Sequence, residues 1–409
     1  MDCVHSEHVI TFPRALPIPD EVLEIARRLE AAGFDTWCVG GAVRDNLLDY
    51  ENHDFDLATA ATPQEVQRLF RQTIPVGVEH GTVAVLDAKR QAHEVTTFRR
   101  DVRTDGRHAV VEFGVSLDQD LARRDFTINA IAHHPLRHEW RDPFEGRADL
   151  DRGVVRAVGD PASRFREDYL RILRSLRFAA RFGFEIEPGT WAAARASAEG
   201  LRNLSAERVR DEWFRGLQTA RTAGQLVKLW GEVGGLVRWL PEVGEGGIEG
   251  VDRFSKRDPI LITSYLSADP VTTLTRLKCS NAEVDRGRRI GELRDRRPDP
   301  ESEEMVRRWM AEAGPIVGDL LALHRVEDPT KGARLASAAD RVRASAAPLT
   351  IAQLAVNGND LKEAGVPSGP QIGMVLRALL DLVLTDPARN NRQDLLRAAQ
   401  TIASGKETR

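Results

Sequence analysis

The amino-acid sequence predicts an α/β fold in the N-terminal part, with a small mixed sheet and helices, followed by a remainder that is all α-helical. Two observations support this prediction. Up to about residue 150, short apolar runs rich in β-branched residues alternate with segments in which apolar residues recur every three or four positions. Beyond that point the last strand candidate is the segment 154–158, and only the helical spacing continues.

The composition is that of an ordinary soluble protein. Of the 409 residues, 42% are hydrophobic and 29% are charged, as is typical of globular domains. A chain of this length holds roughly two to four domains. The formal net charge of −4 argues against a uniformly basic surface that coats nucleic acid, but it permits arginines concentrated on one face.

The cysteines and the N-terminus indicate a cytoplasmic protein. Cys3, Cys38 and Cys279 are scattered and show no paired spacing that would suggest zinc, which favours a reducing compartment. The first residues carry neither the basic nor the apolar segment of a signal peptide, and no run approaches 18 apolar residues. We therefore expect neither export nor a membrane-spanning segment.

Local signals justify the first elements in order. Residues 20–32 begin with acids in the first turn and end before a glycine, which predicts a helix. Thr62 and Glu65 have the spacing of a capping box, and Pro63 suits the first helical position, so a further helix begins there. Strand patterns then follow at 73–77, 81–86 and 93–99.

The next segments complete the α/β part. The polar segment 100–118 predicts a mobile loop that contains one short strand at 110–113. The segment 121–132 predicts a helix that is unusually rich in polar positions. From residue 160 onward the apolar residues follow helical spacing, and Asp168, Arg171, Arg174 and Arg177 recur on one neighbouring helix face.

The stretch from residue 37 to residue 60 carries the most informative pattern. A short apolar strand leads into Gly40 and Gly41, a helix bearing Arg44 follows, and a second strand contains Asp54 and Asp56. Side chains two apart share one face of a strand, so the two carboxylates lie side by side. Such charges repel unless a cation sits between them, and Mg²⁺ prefers oxygen ligands of this kind. The pair therefore predicts a metal site.

The combination of these parts is more specific than any one of them. An Asp-x-Asp triplet alone usually marks a polar strand edge. Together, glycine amides at a helix start can approach phosphate oxygens, an arginine can neutralise them, and paired aspartates can hold metals that bridge a triphosphate and an attacking hydroxyl. These parts suit nucleotidyl transfer. A dinucleotide site is set aside because the Gly-x-Gly-x-x-Gly pattern is absent.

Glu94 is the candidate for a third carboxylate. In the strand 93–99 it shares a face with Thr96 and Phe98, so it can enter the site from a neighbouring strand. The alternative is an ordinary glutamate at a strand edge.

Four successive motifs resemble those of bacterial class II tRNA nucleotidyltransferases, the CCA-adding enzymes of the polymerase-beta-like nucleotidyltransferase superfamily. They lie at residues 40–45, 53–56, 123–130 and 167–171, and the resemblance is dense from about residue 35 to residue 215. It implies a nucleotidyltransferase head followed by a helical neck, body and tail. We expect these domains at 1–150, 151–220, 221–300 and 301–409, with boundary signals in the Gly-rich segment 242–250 and at 294–301.

The resemblance also implies roles for individual residues. Asp54 and Asp56 would bind the catalytic Mg²⁺ and act with Glu94 as the catalytic carboxylates, while Gly41 and Arg44 would hold the incoming triphosphate. The other nucleotide-binding residues would be Gly40, Arg99, Arg123, Arg124, Asp125, Asn129, Asp168, Arg171, Arg174 and Arg177. The alternative for the segment 123–129 is a capped, ion-paired helix, and for the last two arginines a solvated helix face.

Asp168 and Arg171 offer a means of choosing the base. Cytosine and adenine each present an amino donor next to a ring-nitrogen acceptor, and an aspartate beside an arginine complements both. Uracil and guanine present the reverse order, which costs roughly a few kcal/mol when the groups are desolvated. Protein side chains can thus select C and A without a nucleic-acid template.

The resemblance therefore implies an Mg²⁺-dependent enzyme that adds CCA to the 3′ end of tRNA from CTP and ATP, and that contacts tRNA at its acceptor end and elbow. No stable protein partner is expected. An A-adding enzyme and a bacterial poly(A) polymerase stay open because they share the motifs, and a non-catalytic RNA-binding protein is a distant alternative. The segment 100–118 argues against an enzyme limited to CC, and intact Asp54 and Asp56 argue against a non-catalytic protein.

Overall fold

The computed structural model describes residues 10–104 and 109–404. The chain divides into two compact units, Met1–Pro241 and Glu242–Arg409. The division coincides with the start of the Gly-rich segment 242–250, where the sequence predicts a boundary. The other boundary signal, at 294–301, connects two helices inside the second unit. The finer division into four domains stays a prediction.

A mixed β-sheet forms the centre of the first unit. The strands of this unit are β1 (Thr36–Val39), β2 (Asp56–Thr59), β3 (Thr73–Gly77), β4 (Thr82–Leu86), β5 (Ala92–Thr97), β6 (Arg99–Thr104), β7 (Ala109–Phe113), β8 (Ala132–His133), β9 (Trp140–Arg141), β10 (Val154–Val155) and β11 (Glu185–Ile186). Seven of them form one sheet in the order β3-β4-β5-β2-β1-β8-β9. In this sheet β2 and β5 run parallel, and the other neighbouring strands are antiparallel. The predicted mixed sheet is confirmed.

The register of the sheet brings the predicted acidic residues to one end. In the β1–β2 pair the last residue of β1 lies opposite Asp56, so Gly40 leaves β1 where β2 begins. In the parallel β2–β5 pair Leu57 lies opposite Val95, and the same register one residue earlier places Asp56 level with Glu94. Because level side chains of neighbouring strands point to the same face, these two carboxylates meet.

Helices surround this sheet and extend the first unit beyond it. They are α1 (Asp20–Ala31), α2 (Gly41–Leu47), α3 (Pro63–Leu69), α4 (Leu117–Ala122), α5 (Gly146–Asp151), α6 (Pro161–Glu167), α7 (Leu170–Phe182), α8 (Pro188–Ala196), α9 (Ala206–Thr219), α10 (Ala223–Glu232) and α11 (Gly235–Trp239). One hydrophobic core joins Phe178 and Phe182 of α7 to Leu29 of α1, Leu57 of β2 and Val95 of β5. Burial of apolar surface therefore fixes the arginine-bearing α7 against the sheet.

The local signals near the N-terminus are mostly confirmed. Helix α1 covers the predicted segment, and α3 begins with the predicted capping box, in which Glu65 Oε2 accepts from the backbone N of Thr62 at 2.7 Å. Strand β2 begins at Asp56, so Asp54 lies in the segment just before the strand rather than in it. Phe55 between them is fully buried, which keeps both aspartates on the other side of the backbone.

The segment 121–132 is not the helix that its sequence predicts. Helix α4 ends at Ala122, a 3₁₀ turn spans Thr127–Asn129, and β8 follows. The Asp125 carboxylate accepts from the backbone N of Phe126 at 2.8 Å and from Asn129 Nδ2 at 2.9 Å. Such local bonds compete with helical backbone bonds, and Phe126 accordingly has extended backbone.

The polar segment 100–118 contains more regular structure than its sequence predicts. Strands β6 and β7 form an antiparallel hairpin, which confirms the strand at 110–113 and adds β6 to it. Arg100 Nε donates to Glu112 Oε2 across the hairpin at 2.8 Å. The sequence of β6 is mostly charged, which hides the apolar period on which strand prediction depends. Part of the predicted loop, 105–108, lies outside the described residues.

The region after residue 150 departs from pure helix in two places. Strand β10 confirms the candidate at 154–158 and pairs in parallel with β11, which is too short to show a strand pattern. The helical region from residue 160 consists of two helices, α6 and α7, separated at Asp168, whose φ of −154° and ψ of 105° are extended. Asp168 therefore precedes the helix that carries Arg171, and the prediction of one shared helix face was wrong.

The second unit is helical in its described part, as the sequence predicts. Its helices are α12 (Ile248–Val251), α13 (Pro259–Leu266), α14 (Pro270–Arg276), α15 (Asn281–Leu293), α16 (Glu303–Ala313), α17 (Val317–Glu327), α18 (Pro329–Ala344), α19 (Gly358–Glu363), α20 (Pro370–Thr385) and α21 (Arg392–Ala403). One of its cores joins Leu379 and Val383 of α20 to Leu395 of α21. None of the described helices combines the length and the apolar character needed to cross a lipid bilayer.

Candidate active site

Gly40 makes the turn between β1 and α2, and a side chain at its position would be strained and crowded. Its φ of +78° lies in the left-handed region that favours glycine. A Cβ at this position would also lie 3.2 Å from Arg124 Nη1 and 3.7 Å from Asp56 Oδ2. The backbone of Gly40 therefore lies directly against the two charged groups, and the predicted Gly-Gly turn and the predicted carboxylate meet at one point.

Three carboxylates lie near this turn, close enough for the charges of Glu94 and Asp54 to act on Asp56. Asp56 is half-buried, whereas Asp54 and Glu94 are exposed. Burial, and then the negative charges of Glu94 and Asp54, raise the pKa of the Asp56 carboxyl to about 6, against the opposing charge of Arg124. The three carboxylates thus carry more negative charge than the protein compensates. Carboxylate oxygens are ligands that a hard divalent cation prefers, and such a cation would relieve the repulsion.

Asp56 opens into a cavity of about 580 Å³ that is lined by nine arginines and three aspartates. The predicted residues that line it are Gly40, Gly41, Arg44, Asp56, Arg123, Arg124, Asp125, Asn129, Asp168, Arg171, Arg174 and Arg177. The residues that line it without a predicted role are Leu170, Phe178, Arg181, Arg208 and Arg215. Asp54, Glu94 and Arg99 are not among the lining residues. The surplus of arginine indicates an anionic ligand.

Arg44 is held rigidly in the wall formed by α2. Its side chain is only 4% exposed, and its Nε and Nη2 donate to Asp45 Oδ1 at 2.9 and 2.6 Å. Its Nη1 donates to Asn129 Oδ1. Burial lowers the pKa of the Arg44 guanidinium, and the adjacent Asp45 carboxylate opposes that effect. Arg44 therefore stays charged and nearly immobile at the edge of the cavity.

Asp125 anchors the opposite wall. Its Oδ2 accepts from Arg174 Nε at 2.7 Å, and its Oδ1 accepts from Asn129 Nδ2 at 2.9 Å. Burial alone would raise the pKa of the Asp125 carboxyl, but the charge of Arg174 and these hydrogen bonds lower it to about 2. The ionised carboxylate positions Arg174 and Asn129, so the predicted grouping of these residues is present although their helix is not.

Asp168 and Arg171 are each fixed by neighbours other than one another. Asp168 Oδ2 accepts from Arg208 Nη2 at 2.6 Å, and its Oδ1 accepts from the backbone N of Leu170, the first residue of α7, at 3.0 Å. Arg171 Nη1 donates to Glu167 Oε2 at 2.6 Å. The pair thus offers a preorganised acceptor and donor to the cavity, without an ion pair that would close one against the other.

The ring of Phe178 lies beneath three guanidinium groups. The Cζ atoms of Arg177, Arg44 and Arg174 lie 4.3, 4.9 and 5.4 Å from its centroid. Arg177 Nε also donates to the buried Glu212 Oε2 at 2.6 Å. Cation–π attraction and this ion pair restrict the arginines before any ligand arrives, so less side-chain freedom is lost on binding.

Asp120 organises the arginines behind Gly40. It is buried, and it accepts from Arg123 Nε at 2.9 Å and from Arg124 Nη2 at 3.4 Å. Burial would raise the pKa of the Asp120 carboxyl, but the charges of Arg123 and Arg124 lower it. The backbone N of Arg99 also donates to this carboxylate at 3.3 Å. Arg99 therefore lies beside the cavity wall rather than in its lining.

Three lining arginines carry no predicted role, although their spacing was a usable signal. Arg181 follows Arg177 by four residues on α7 and donates to Asp45 Oδ2 at 2.8 Å. Arg208 and Arg215 are seven residues apart on α9, which places them on one face two turns apart. Spacing alone does not show that α9 packs against α7, and that packing brings these arginines into the cavity.

A second acidic group lies apart from this cavity. Glu30, Asp35 and His134 offer ligand atoms within 4.8 Å of one another, which is the geometry of a possible metal site. His134 Nδ1 accepts from the backbone N of Arg137 at 2.9 Å, so the proton of the neutral ring lies on Nε2, which donates to Glu30 Oε1 at 3.1 Å. Arg137 also donates to both carboxylates, at 3.1 and 2.8 Å. Internal ion pairs thus account for this group.

Two protein-family profiles match parts of the chain. Residues 36–156 match the profile described as poly A polymerase head domain. Residues 183–242 match the profile described as probable RNA and SrmB-binding site of polymerase A. The first match covers the sheet and the Gly-Gly turn, and the second covers α9.

Relatives and a solved structure match nearly the whole length. A protein of Limosilactobacillus fermentum named CCA-adding enzyme is 34% identical over 409 residues, which cover 92% of this chain and 95% of that protein. A CCA-adding enzyme of Levilactobacillus brevis is 35% identical, with coverage of 93% and 98%. The crystal structure of the Bacillus stearothermophilus CCA-adding enzyme in complex with CTP has a TM-score of 0.78 and 32% identity, and it covers 94% of this chain and 97% of that chain.

Proposed function

Because this chain belongs to the family of CCA-adding enzymes, we propose that it adds C, C and A in turn to the 3′ end of tRNA, using CTP and ATP and no nucleic-acid template. The observation that supports this most directly is the single cavity of about 580 Å³ that contains Asp56 together with Asp168 and Arg171. Asp56 contributes to nucleotidyl transfer, and Asp168 and Arg171 contribute to the choice of base.

Asp168 and Arg171 select the incoming base in this proposal. The amino group of cytosine or adenine donates to the Asp168 carboxylate, and the neighbouring ring nitrogen accepts from the Arg171 guanidinium. Uracil and guanine would place a carbonyl acceptor against the Asp168 carboxylate and a ring N–H donor against the Arg171 guanidinium. Because Arg208 and Glu167 hold the pair in place, the two side chains cannot easily turn to accommodate the wrong base. The CTP complex of the Bacillus relative supports a pyrimidine nucleotide as substrate.

The arginines and the Gly-Gly turn bind the triphosphate. Arg44 and Arg174 are charged and held in place by buried carboxylates, so their donors are oriented before the anion arrives. Gly40 and Gly41 lack side chains, which allows phosphate oxygens to approach the backbone at the start of α2. The triphosphate is thereby directed toward Asp56.

Asp54, Asp56 and Glu94 would hold Mg²⁺. When bound, the ion would lower the pKa of the primer 3′ hydroxyl and stabilise negative charge on the α-phosphate. The raised pKa of Asp56 supports this assignment, since Arg124 only partly compensates the repulsion from Glu94 and Asp54. The strand start fixes Asp56, and the exposed Asp54 and Glu94 supply further oxygens beside it.

The remaining parts of the proposal concern the partner and the location. We place the head at 1–150 and the base-selecting neck at 151–220, and we assign the tRNA acceptor end and elbow to the body and tail at 221–300 and 301–409. The reaction takes place in the cytoplasm, where tRNA is matured. Contacts between these domains and the tRNA backbone phosphates would be largely independent of the tRNA sequence.

Nucleotide incorporation tests the proposal. The protein is incubated with tRNA that ends at the discriminator base and with labelled CTP and ATP, separately and together. We expect two C residues from CTP alone and one A after them when both are present. Long tails from ATP alone would identify a poly(A) polymerase, and addition of A only to tRNA that already ends in CC would identify an A-adding enzyme. No incorporation with intact tRNA binding would indicate a non-catalytic protein.

A further inference from the structure

The segment between α2 and β2 carries Asp54, and the strand pairing described for β2 does not reach this aspartate. The paired residues of β2 begin at Asp56, and Asp54 is exposed two residues before them. A carboxylate at such a position samples many orientations unless other bonds fix its backbone. Bonds within the connecting segment must therefore place Asp54 beside Asp56.

The side chain of Asn52 supplies such bonds. Its Oδ1 accepts from the backbone N of Asp54 at 2.9 Å, and its Nδ2 donates to Asp45 Oδ2 at 3.1 Å. The first bond closes an Asx turn around residue 53, and the second joins this turn to α2. Asn52 therefore ties the backbone of Asp54 to the helix that follows the Gly-Gly turn.

Asp45 is a rigid anchor for this link. It is only 2% exposed, and its Oδ1 accepts from Arg44 Nε and Nη2 at 2.9 and 2.6 Å. Its Oδ2 accepts from Arg181 Nη2 at 2.8 Å in addition to the bond from Asn52. Two charged hydrogen-bond donors thus hold the carboxylate in one position. The carboxylate that orients Arg44 also fixes the segment that carries Asp54.

The backbone of residue 52 is held on α2 as well. Asn46 Nδ2 donates to the carbonyl oxygen of Asn52 at 2.7 Å and to that of Ala42 at 2.8 Å. The backbone N of Tyr50 donates to the carbonyl oxygen of Asp45 at 2.9 Å. The connecting segment is therefore folded back on α2, and both the backbone and the side chain of Asn52 contribute to this fold.

The two partners of the Asn52 side chain require an amide at this position. An ionised carboxylate such as that of Asp45 only accepts hydrogen bonds, whereas the backbone N–H of Asp54 only donates. An asparagine offers a donor to the first and an acceptor to the second, so the orientation of its amide is determined. An aspartate would face Asp45 with a like charge, and an apolar side chain would make neither bond.

We propose that Asn52 is a positioning residue of the metal site, which holds the backbone of Asp54 so that its carboxylate lies beside Asp56. The inference rests on the proposed function, because it takes these two aspartates as residues that would hold Mg²⁺. It connects two parts of the site, since Asp45 both orients Arg44 and anchors Asn52. Loss of the Asn52 side chain would release the Asp54 carboxylate without a change in the sheet.

Binding of Mn²⁺ to the full chain, measured from the EPR signal of the free ion, tests the proposal without the reaction. Mn²⁺ accepts the same oxygen ligands as Mg²⁺. The binding that Asp54→Ala removes identifies the site. We expect Asn52→Ala to raise the Kd of this site about tenfold. The hydroxyl of Asn52→Ser can still accept from the backbone N of residue 54, although more weakly, so its Kd should lie between those of the wild type and Asn52→Ala.

The matched control is Asn357→Ala. Asn357 Oδ1 accepts from the backbone N of Asn359 at 2.8 Å, so this variant removes the same kind of bond in the second unit, and its Kd for Mn²⁺ should equal that of the wild type. Thermal unfolding is measured in parallel, and the Kd is determined where every variant is folded. An Asn52→Ala protein that has a lower Tm but binds Mn²⁺ like the wild type would overturn the proposal alone, because the side chain would then only stabilise the segment. Unchanged Mn²⁺ binding in Asp54→Ala would overturn the metal assignment of the proposed function and this proposal with it.

Discussion

Replacing Asp168 with asparagine tests base selection with almost no change of shape. Asp168 Oδ1 accepts from the backbone N of Leu170, and Oδ2 accepts from Arg208 Nη2. In Asp168→Asn the amide oxygen must stay at Leu170, because an amide nitrogen cannot accept that bond. The new amide donors therefore face Arg208 and the cavity. The acceptor that a cytosine or adenine amino group requires is replaced by a donor.

The expected magnitude follows from the bonds that are lost. A hydrogen bond to a charged group contributes about 1.5–3 kcal/mol, and a buried donor that faces another donor costs about 1–3 kcal/mol. We therefore expect kcat/KM for CTP to fall roughly 10-fold to 100-fold. UTP offers a carbonyl acceptor to the new amide, so the preference for CTP over UTP should fall further. The asparagine oxygen can keep the bond from the backbone N of Leu170, so the start of α7 should keep its structure.

Single-turnover incorporation of labelled CTP and UTP into tRNA that ends at the discriminator base measures this change. The control variant is Asp211→Asn, because Asp211 is an exposed carboxylate of α9 that does not line the cavity. It should leave both rates unchanged. An Asp168→Asn protein that keeps the wild-type ratio of CTP to UTP incorporation would refute the role of Asp168 in base selection.

Three further predictions concern the carboxylates and the turn beside them. Asp54→Ala should abolish incorporation of either nucleotide while the Kd for tRNA changes less than about threefold, measured by filter binding; a parallel loss of tRNA binding would mean that the site is misassigned. Gly40→Ala should also abolish incorporation, because its Cβ would crowd Arg124 at 3.2 Å, whereas Gly159→Ala, which has a φ of +71° but no neighbour within 4 Å, should cost only about 1–2 kcal/mol of stability; similar activity of the two variants would contradict the role of the close approach. The third prediction concerns pH. The pKa of Asp56 is about 6 in the folded protein and about 3.9 in an unfolded chain, so the folded state binds more protons between these two pH values. The free energy of unfolding of the wild type should therefore fall by up to about 3 kcal/mol relative to that of Asp56→Asn as the pH rises from about 4 to above 6. Thermal unfolding in EDTA at the two ends of this range measures it, and an equal difference at both pH values would contradict the raised pKa.

The sequence by itself determined the chemistry of the site. The Gly-Gly turn, the paired aspartates and the arginine series are local patterns, and local spacing decides which side chains share a face over a few residues. Twelve of the fifteen predicted site residues line one cavity. Asp54 and Glu94 do not line it, but their charges act on Asp56.

Prediction of secondary structure from local pattern was wrong where side-chain hydrogen bonds or neighbouring elements determine the backbone conformation. The polar residues at 121–132 could form a helix, but Asp125 instead bonds to Phe126 and Asn129 and turns the chain. The other carboxylate oxygen of Asp125 accepts from Arg174. The misprediction therefore falls on residues that line the cavity, where contacts within the site replace the helical backbone bonds.

Only the tertiary structure decided which distant residues complete the site. Glu94 reaches Asp56 because β5 pairs in parallel with β2, and no signal within either strand specifies that partner. Arg208 reaches Asp168 from 40 residues away because α9 packs against α7. Strand pairing and helix packing are set by burial of the whole core rather than by the residues that they bring together. For this reason the sequence predicts the candidate site residues, whereas the fold decides what surrounds and orients them.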